Sequence, residues 1–286
     1  MGKIVISADS TCDIGPELSE RYHVSFFPYH IIFRGNEYLD NVDITTDQIY
    51  AGYREDGSLP ATSAINVSEY LDYFRSLREE ADEVVHLNLG HALSSSHEHA
   101  LAAAEQLEGI HVIDSCNLST GTGQLVIRAA RLADEGLPAS EIVQRIEAMR
   151  GRTHASFVLD TLEFMAAGGR CPQVLSHVGK ALKLRVEIAV DNADGSMRVT
   201  GLRRGSMKKA LREYVESQIR KHPDIICDDV FVTHSGGIDQ KLIDGVCDQL
   251  RKLLPDLERV HVTRASCTIS SHCGPGCLGV LFVAES

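Results

Sequence analysis

With 286 residues, 43% of them hydrophobic, the chain is long enough for one large core or two ordinary ones, and disorder is excluded as its general state. Its 40 acidic residues against 28 basic ones leave a net charge of −12, which repels phosphate backbones and anionic lipid surfaces and argues against nucleic acid or a membrane surface as partner. No stretch approaches the about eighteen apolar residues that a membrane span needs, so no stable membrane insertion is expected.

In chain order, Ile4-Val5-Ile6 is cut short by Ser7 and Asp9 and is too brief for the apolar part of a signal peptide. The eight cysteines, without secretory context, read as reduced thiols, and the expected location is the cytoplasm. Strands are predicted over 3–8, 24–33, 83–89 and 109–113, alternating with helices over 46–54, 67–81, 95–107, 121–134 and 140–149. That alternation is the pattern of βαβ units around a mainly parallel sheet. Thr45 with Gln48 and Asn66 with Glu69 have the spacing of capping boxes. Past residue 151 the pattern changes. Strands over 153–159 and 183–191 surround short helical pieces, and Asp194-Gly195 is a hairpin signal before a strand over 197–202. Helices over 206–220 and 239–253 then alternate with strands over 229–234, 259–264 and 278–284, which implies a mixed sheet in a second domain. The expected organisation is α/β throughout, with an N-terminal three-layer domain over 1–155 and a C-terminal mixed-sheet domain over 156–286.

Polar clusters fall where predicted strands end and helices begin, the edge at which open α/β sheets place ligands. They are Asp9-Ser10-Thr11-Cys12-Asp13, then Gly90-His91-Ala92-Leu93-Ser94-Ser95-Ser96, then Asp114-Ser115 with Ser119-Thr120-Gly121. Hydroxyls and free N–H groups at such positions suit a carboxylate or phosphate, and they equally suit simple helix caps. Near the C-terminus, Gly and Pro crowd around His272, in a turn or an ordinary surface loop. Cys267, His272, Cys273 and Cys277 lie close in sequence, but no paired C-x-x-C knuckle appears, so no metal site is expected. His91, His97 and His99 are expected at the surface. Gly168-Gly169 ahead of Arg170 looks like a helix C-cap. Arg203 and Arg204 precede a helix N-terminus that cations serve poorly, which points to an anionic ligand or partner. A phosphate loop, a dinucleotide fingerprint, a G-x-S-x-G elbow and an H-E-x-x-H helix are all missing from the sequence. The common ATPase, dehydrogenase, hydrolase and zincin readings lose ground accordingly.

Taken in order, these motifs resemble the DegV family over residues 6–282. The resemblance rests on Asp9-Ser10-Thr11-Cys12-Asp13, Tyr38-Leu39-Asp40-Asn41-Val42-Asp43-Ile44, Thr62-Ser63, Leu93-Ser94-Ser95-Ser96 and Val112-Ile113-Asp114-Ser115. In the second half it rests on Asp160-Thr161-Leu162-Glu163-Phe164, Gly168-Gly169-Arg170, Arg204 ahead of Lys209-Ala210, and His272-Cys273-Gly274-Pro275-Gly276-Cys277-Leu278-Gly279. Ser95 stands where the family has Gly, Ala64-Ile65 where it has Gln-Pro, and Gly90-His91 where it has Ser-Ser. The resemblance implies a non-enzymatic carrier with one long-chain fatty acid between two domains and no other cofactor. It implies a carboxylate held by Thr62, Ser94 and His272 with Ser95 beside them, and Arg170 and Arg204 near the exit or facing a partner. That partner would be a separate ATP-binding kinase subunit that forms an acyl phosphate. Two other readings remain open: a serine hydrolase using Ser94, His272 and a carboxylate such as Asp114, and a zinc-dependent redox or structural protein.

Overall fold

The computed structural model of the chain describes residues 2–173 and 184–285. Alternating apolar runs and amphipathic segments produce, in order, β1 (Ile4–Asp9), α1 (Gly15–Arg21), β2 (Ser25–Phe27), β3 (His30–Phe33), β4 (Asn36–Leu39), α2 (Thr46–Asp56) and β5 (Ala61–Ser63). They continue with α3 (Val67–Glu80), β6 (Glu83–Asn88), α4 (Ser96–Ala104), β7 (Ile110–Asp114), α5 (Ser119–Asp134) and α6 (Ala139–Arg150). Both capping boxes form, Thr45 with Gln48 at the start of α2 and Asn66 with Glu69 at the start of α3.

The parallel sheet has the order β2-β1-β6-β7. Residues 84–88 of β6 are buried without alternation, which requires cover on both faces. All three polar clusters therefore lie at the carboxyl edge of one sheet. The strand expected over 24–33 is divided. Its first part pairs in parallel with β1, and its second part joins β4 and β5 in a small antiparallel sheet. Pro28 lies between the two parts and has no N–H to continue a ladder.

The chain enters a second sheet at β8 (Thr153–Leu159), followed by α7 (Glu163–Gly168), β9 (Leu184–Val190), β10 (Met197–Arg204), α8 (Met207–Lys221), β11 (Asp229–His234), α9 (Gln240–Leu253), β12 (Arg259–Arg264), α10 (Cys267–Cys273) and β13 (Leu278–Val283). The expected strand 183–191 is observed from Leu184, since residue 183 lies outside the described residues. The second sheet has the order β10-β9-β8-β13-β11-β12 and is antiparallel except for the β11–β12 pair. Gly195 closes the expected hairpin at φ 77°, a value that glycine adopts without a Cβ penalty.

Between the two sheets lies α5. It touches β1 and β6 of the first sheet and β8, β11 and β13 of the second. Of its 16 residues, 12 are buried, too many for a helix with a solvent face. One apolar cluster consequently runs from Ile6 and Leu87 through Leu125 to Phe157, Ile188 and Leu281.

The loop expected around His272 is the short helix α10. Its composition, Cys-Thr-Ile-Ser-Ser-His-Cys, favours helix weakly, and tertiary caps compensate. The Ser266 hydroxyl accepts from the Ile269 N–H at 3.3 Å. The Ser266 N–H donates to Asp13 at 2.8 Å, and the N–H groups of Cys267 and Thr268 donate to the two oxygens of Asp40 at 2.7 and 3.3 Å. Donors that a helix start leaves open thus end on two buried carboxylates from the N-terminal quarter of the chain.

Candidate ligand-binding site

Three segments distant in sequence meet at the carboxyl edge of the parallel sheet. Thr62 is carried by β5, in register with Ile31 of β3. Ser94 lies in the loop that leaves β6, and that loop is anchored where the Leu89 N–H donates to Asp9 at 2.9 Å. Asp9, fully buried, also accepts from the Tyr70 hydroxyl at 2.7 Å and lies 3.2 Å from His86 Nε2. His272 is supplied by the last turn of α10.

The hydroxyls are held in a chain. Tyr29 donates to Ser94 Oγ at 3.0 Å, Ser94 donates to Ser96 Oγ at 3.1 Å, and Ser96 Oγ accepts from the Ile65 N–H at 3.2 Å. Burial, with the charge of Asp9, pushes the pKa of Tyr29 up, so its phenol remains a donor. Thr62 Oγ1 lies 2.9 Å from His272 Nε2, and His272 Nδ1 is buried without a hydrogen-bond partner among the described residues. Burial pushes the His272 pKa down to about 4, and the nearby charge of Arg170 acts in the same direction. The imidazole is neutral at neutral pH. A Cβ on Gly168 would fall 2.1 Å from His272 Nδ1, so the imidazole packs where only glycine leaves room. Arg170 follows directly, its guanidinium donating to Gly168 O at 2.7 Å and to Leu93 O at 3.4 Å.

These groups line one end of a pocket with about 510 Å³ of space between its atoms, some of it open to solvent. Its remaining walls are largely apolar and include Leu89, Leu93, Leu118, Met165, Met197 and Ile269. Leu118, Ile269 and Cys273 are also walls of an adjoining cavity of about 320 Å³, which continues past Phe157, Cys277 and Leu281. A polar cluster thus borders two neighbouring, largely apolar cavities, an arrangement that suits an amphiphile with one anionic group.

Of the residues singled out in the sequence, Thr62, Ser94, Arg170 and His272 line the pocket together. Ser95 is exposed at the N-cap of α4, with φ −76° and ψ 0°, a conformation that does not require glycine. Arg204 is exposed at the end of β10, outside the pocket walls. His91 is exposed as expected, whereas His97 and His99 are half-buried. The ring of His99 bonds to Ile65 O at 2.7 Å, and that of His97 lies 3.4 Å from Asn88 Oδ1. Tyr29 escaped sequence reasoning and carries no motif. Ser96 and Gly168 stood there only as members of a polar cluster, a helix cap and family motifs, and the need for glycine beside His272 exists only in three dimensions.

The family model described as "uncharacterised protein, DegV family" matches residues 3–285. The chain belongs to the DegV family. A DegV domain-containing protein of Caldanaerobacter subterraneus subsp. tengcongensis is 31% identical over 284 residues, 99% of each chain. A DegV family protein from Thermus thermophilus, described by its fatty acid binding, superposes with a TM-score of 0.87 at 28% identity over 99% of each chain. DegV from Bacillus subtilis, described as a fatty acid binding protein, shares the fold with a TM-score of 0.86 at 22% identity over 100% of each chain. Several DegV motifs acquire a structural role around the pocket. Asp9 anchors the loop that carries Ser94, while Asp13 and Asp40 cap the helix that carries His272.

Proposed function

We propose that this DegV-family chain binds one long-chain fatty acid between the segments 1–155 and 156–286, with its carboxylate at Thr62, Ser94 and His272. The observation that carries this reading is that the pocket lined by the hydroxyl and imidazole cluster shares the walls Leu118, Ile269 and Cys273 with a second, largely apolar cavity that also touches Phe157 and Leu281. Burying about fifteen methylenes at ~0.8 kcal/mol each gives a gross stabilisation of roughly 12 kcal/mol before the costs of association. A carboxylate buried without donors would cost several kcal/mol, and the two hydroxyls and the imidazole meet that need. The tail supplies affinity, and the polar end fixes orientation.

In the same proposal the chain is a carrier that presents the carboxylate to a separate ATP-binding kinase subunit for acyl phosphate formation. Arg170 at the pocket mouth and exposed Arg204 face that subunit. The geometry does not favour a hydrolase. Ser94 exchanges hydrogen bonds with Tyr29 and Ser96, His272 Nε2 is bonded to Thr62, and Asp114 is paired with His91, so no Ser-His-Asp relay forms among the described residues.

Organic extraction of the purified protein followed by mass spectrometry tests the ligand directly, and a folded preparation that yields no fatty acid would sink the proposal. Ser94→Ala and His272→Ala should each weaken retention by about 10- to 100-fold, the worth of one hydrogen bond to a charged group. Unchanged retention in both variants would place the carboxylate elsewhere. With the kinase subunit and ATP supplied, Arg204→Glu should lower acyl phosphate formation without changing fatty acid retention.

A further inference from the structure

Outside the fatty acid pocket, one other cluster of chemically capable side chains is assembled from separate loops. His91 follows β6, and Asp114 and Cys116 close β7. One nitrogen, one oxygen and one sulfur of these residues lie within 4.8 Å of one another, the one such group of three among the described residues. The cysteines near the C-terminus do not form such a group, because Cys267 and Cys273 stand at opposite ends of α10 and His272 Nε2 is bonded to Thr62.

Asp114 is the hub. Its Oδ1 accepts the N–H groups of His91 at 3.1 Å and Cys116 at 3.0 Å, so the two loops are already fastened to it. Its Oδ2 meets His91 Nδ1 at 2.6 Å and the Cys116 thiol at 3.3 Å. All three donor atoms therefore converge on one side of a carboxylate whose other oxygen fixes its orientation. Cys116 has φ 47°, a left-handed backbone that side chains rarely adopt. Strain of that kind persists where the surroundings impose it, and it concentrates at functional sites. In a tetrahedral site with zinc bond lengths, neighbouring ligand atoms are about 3.4–3.6 Å apart. The Cys116–Asp114 distance of 3.3 Å falls just short of that range, and the exposed His91 ring, at 2.6 Å from Asp114, would retreat by most of an ångström.

We propose that His91, Asp114 and Cys116 bind a divalent ion of the zinc type, with at least one coordination position left to water. The mixture of thiolate, imidazole and carboxylate suits zinc or cobalt, whereas magnesium and calcium prefer oxygen alone. Binding forms a metal–sulfur bond and releases the Cys116 proton to solvent. Without metal that proton is held firmly, because burial and the adjacent Asp114 push the thiol pKa up to about 11. The ion joins the β6–α4 loop to the β7–α5 loop. Since Ser94 lies three residues after His91, occupancy would also stiffen the loop that presents Ser94 to the pocket.

The test is a titration of the full chain, stripped with chelator, with Co²⁺ alone, read by visible d–d absorption and by thiolate-to-cobalt charge transfer. One equivalent should produce both signals. Cys116→Ser should abolish the charge-transfer band, and His91→Ala, at an exposed position that the fold tolerates, should weaken binding at least tenfold. Cys227→Ser, a half-exposed cysteine remote in sequence, should leave the titration unchanged. Absence of a charge-transfer band in the unmodified chain, or its survival in Cys116→Ser, would overturn the assignment.

Discussion

A neutral imidazole is a poor partner for a carboxylate unless binding changes its charge, and His272 is placed for such a change. Burial holds its pKa at about 4 when the pocket contains no anion. A carboxylate beside Nε2 and Thr62 favours the imidazolium and raises that value. Between the two pKa values the complex holds a proton that the free protein and the fatty acid anion do not. Binding near pH 6 should therefore take up a fraction of a proton, and affinity should weaken as pH rises. Calorimetry in buffers of different ionisation enthalpy measures the uptake. No uptake in the parent chain would mean that neutral His272 and the hydroxyls suffice. Gly168 offers a steric test of the same group. Gly168→Ala places a Cβ against His272 Nδ1, which must shift, and retention should fall about 10-fold or more with little loss of helix stability, because alanine suits a helix better than glycine. Thr62, Ser94 and His272 were legible in the sequence as members of an ordered motif set. Gly168 was legible as a cap and as a motif member but not as a neighbour of His272, because that contact joins residues 104 positions apart.

At the scale of the element, α10 shows how little a sequence reveals of a helix stabilised from outside. Its seven residues have no apolar stripe, and beside the local cap of Ser266 the open N–H groups at its start end on Asp13 and Asp40. The longer helices, by contrast, were legible to within a few residues because periodicity and capping boxes are local signals. The two carboxylates differ in a testable way. Both oxygens of Asp40 accept backbone N–H groups, so Asp40→Asn turns an amide N–H₂ towards a backbone donor and should cost about 1–3 kcal/mol. Asp13 accepts one N–H and the Ser119 hydroxyl. That hydroxyl can rotate and accept, so Asp13→Asn should cost less. Burial pushes the Asp13 pKa up to about 7, with its hydrogen bonds from Ser119 and Ser266 opposing the shift. A carboxyl with a raised folded-state pKa favours the folded state below its unfolded value near 3.8, and that contribution is lost as pH rises towards 7. The cost of Asp13→Asn should accordingly be largest near pH 4 and smallest near pH 7, as measured by denaturant titration. A cost independent of pH would mean that Asp13 is ionised throughout.

Across the whole molecule, the two sheets were legible from strand spacing and the hairpin, but the helix joining them was not read as such. A helix buried all round and one buried on a single face differ in what packs on them, and α5 is enclosed because both sheets use it. The same enclosure walls the second cavity, since Leu118 immediately precedes α5, and Phe157 and Leu281 come from strands of the second sheet. The walls common to the two cavities, Leu118, Ile269 and Cys273, form a junction that a tail bound as proposed would pass on its way from the polar end. Cys273→Phe enlarges a side chain at that junction and should cost about 1–3 kcal/mol in folding by overpacking. If the tail passes there, the variant should still hold carboxylates but should retain shorter acids. Loss of four methylenes forfeits roughly 3 kcal/mol of binding at ~0.8 kcal/mol each, so total retention should fall as well. Leu281→Ala, at the far wall, should do the reverse and admit longer chains, although removing a buried leucine costs about 2–5 kcal/mol of stability. Mass spectrometry of the co-purified acids reads both variants. Opposite shifts in chain length would orient the tail through this junction, and an unchanged distribution in both would require it to leave the polar end by another path.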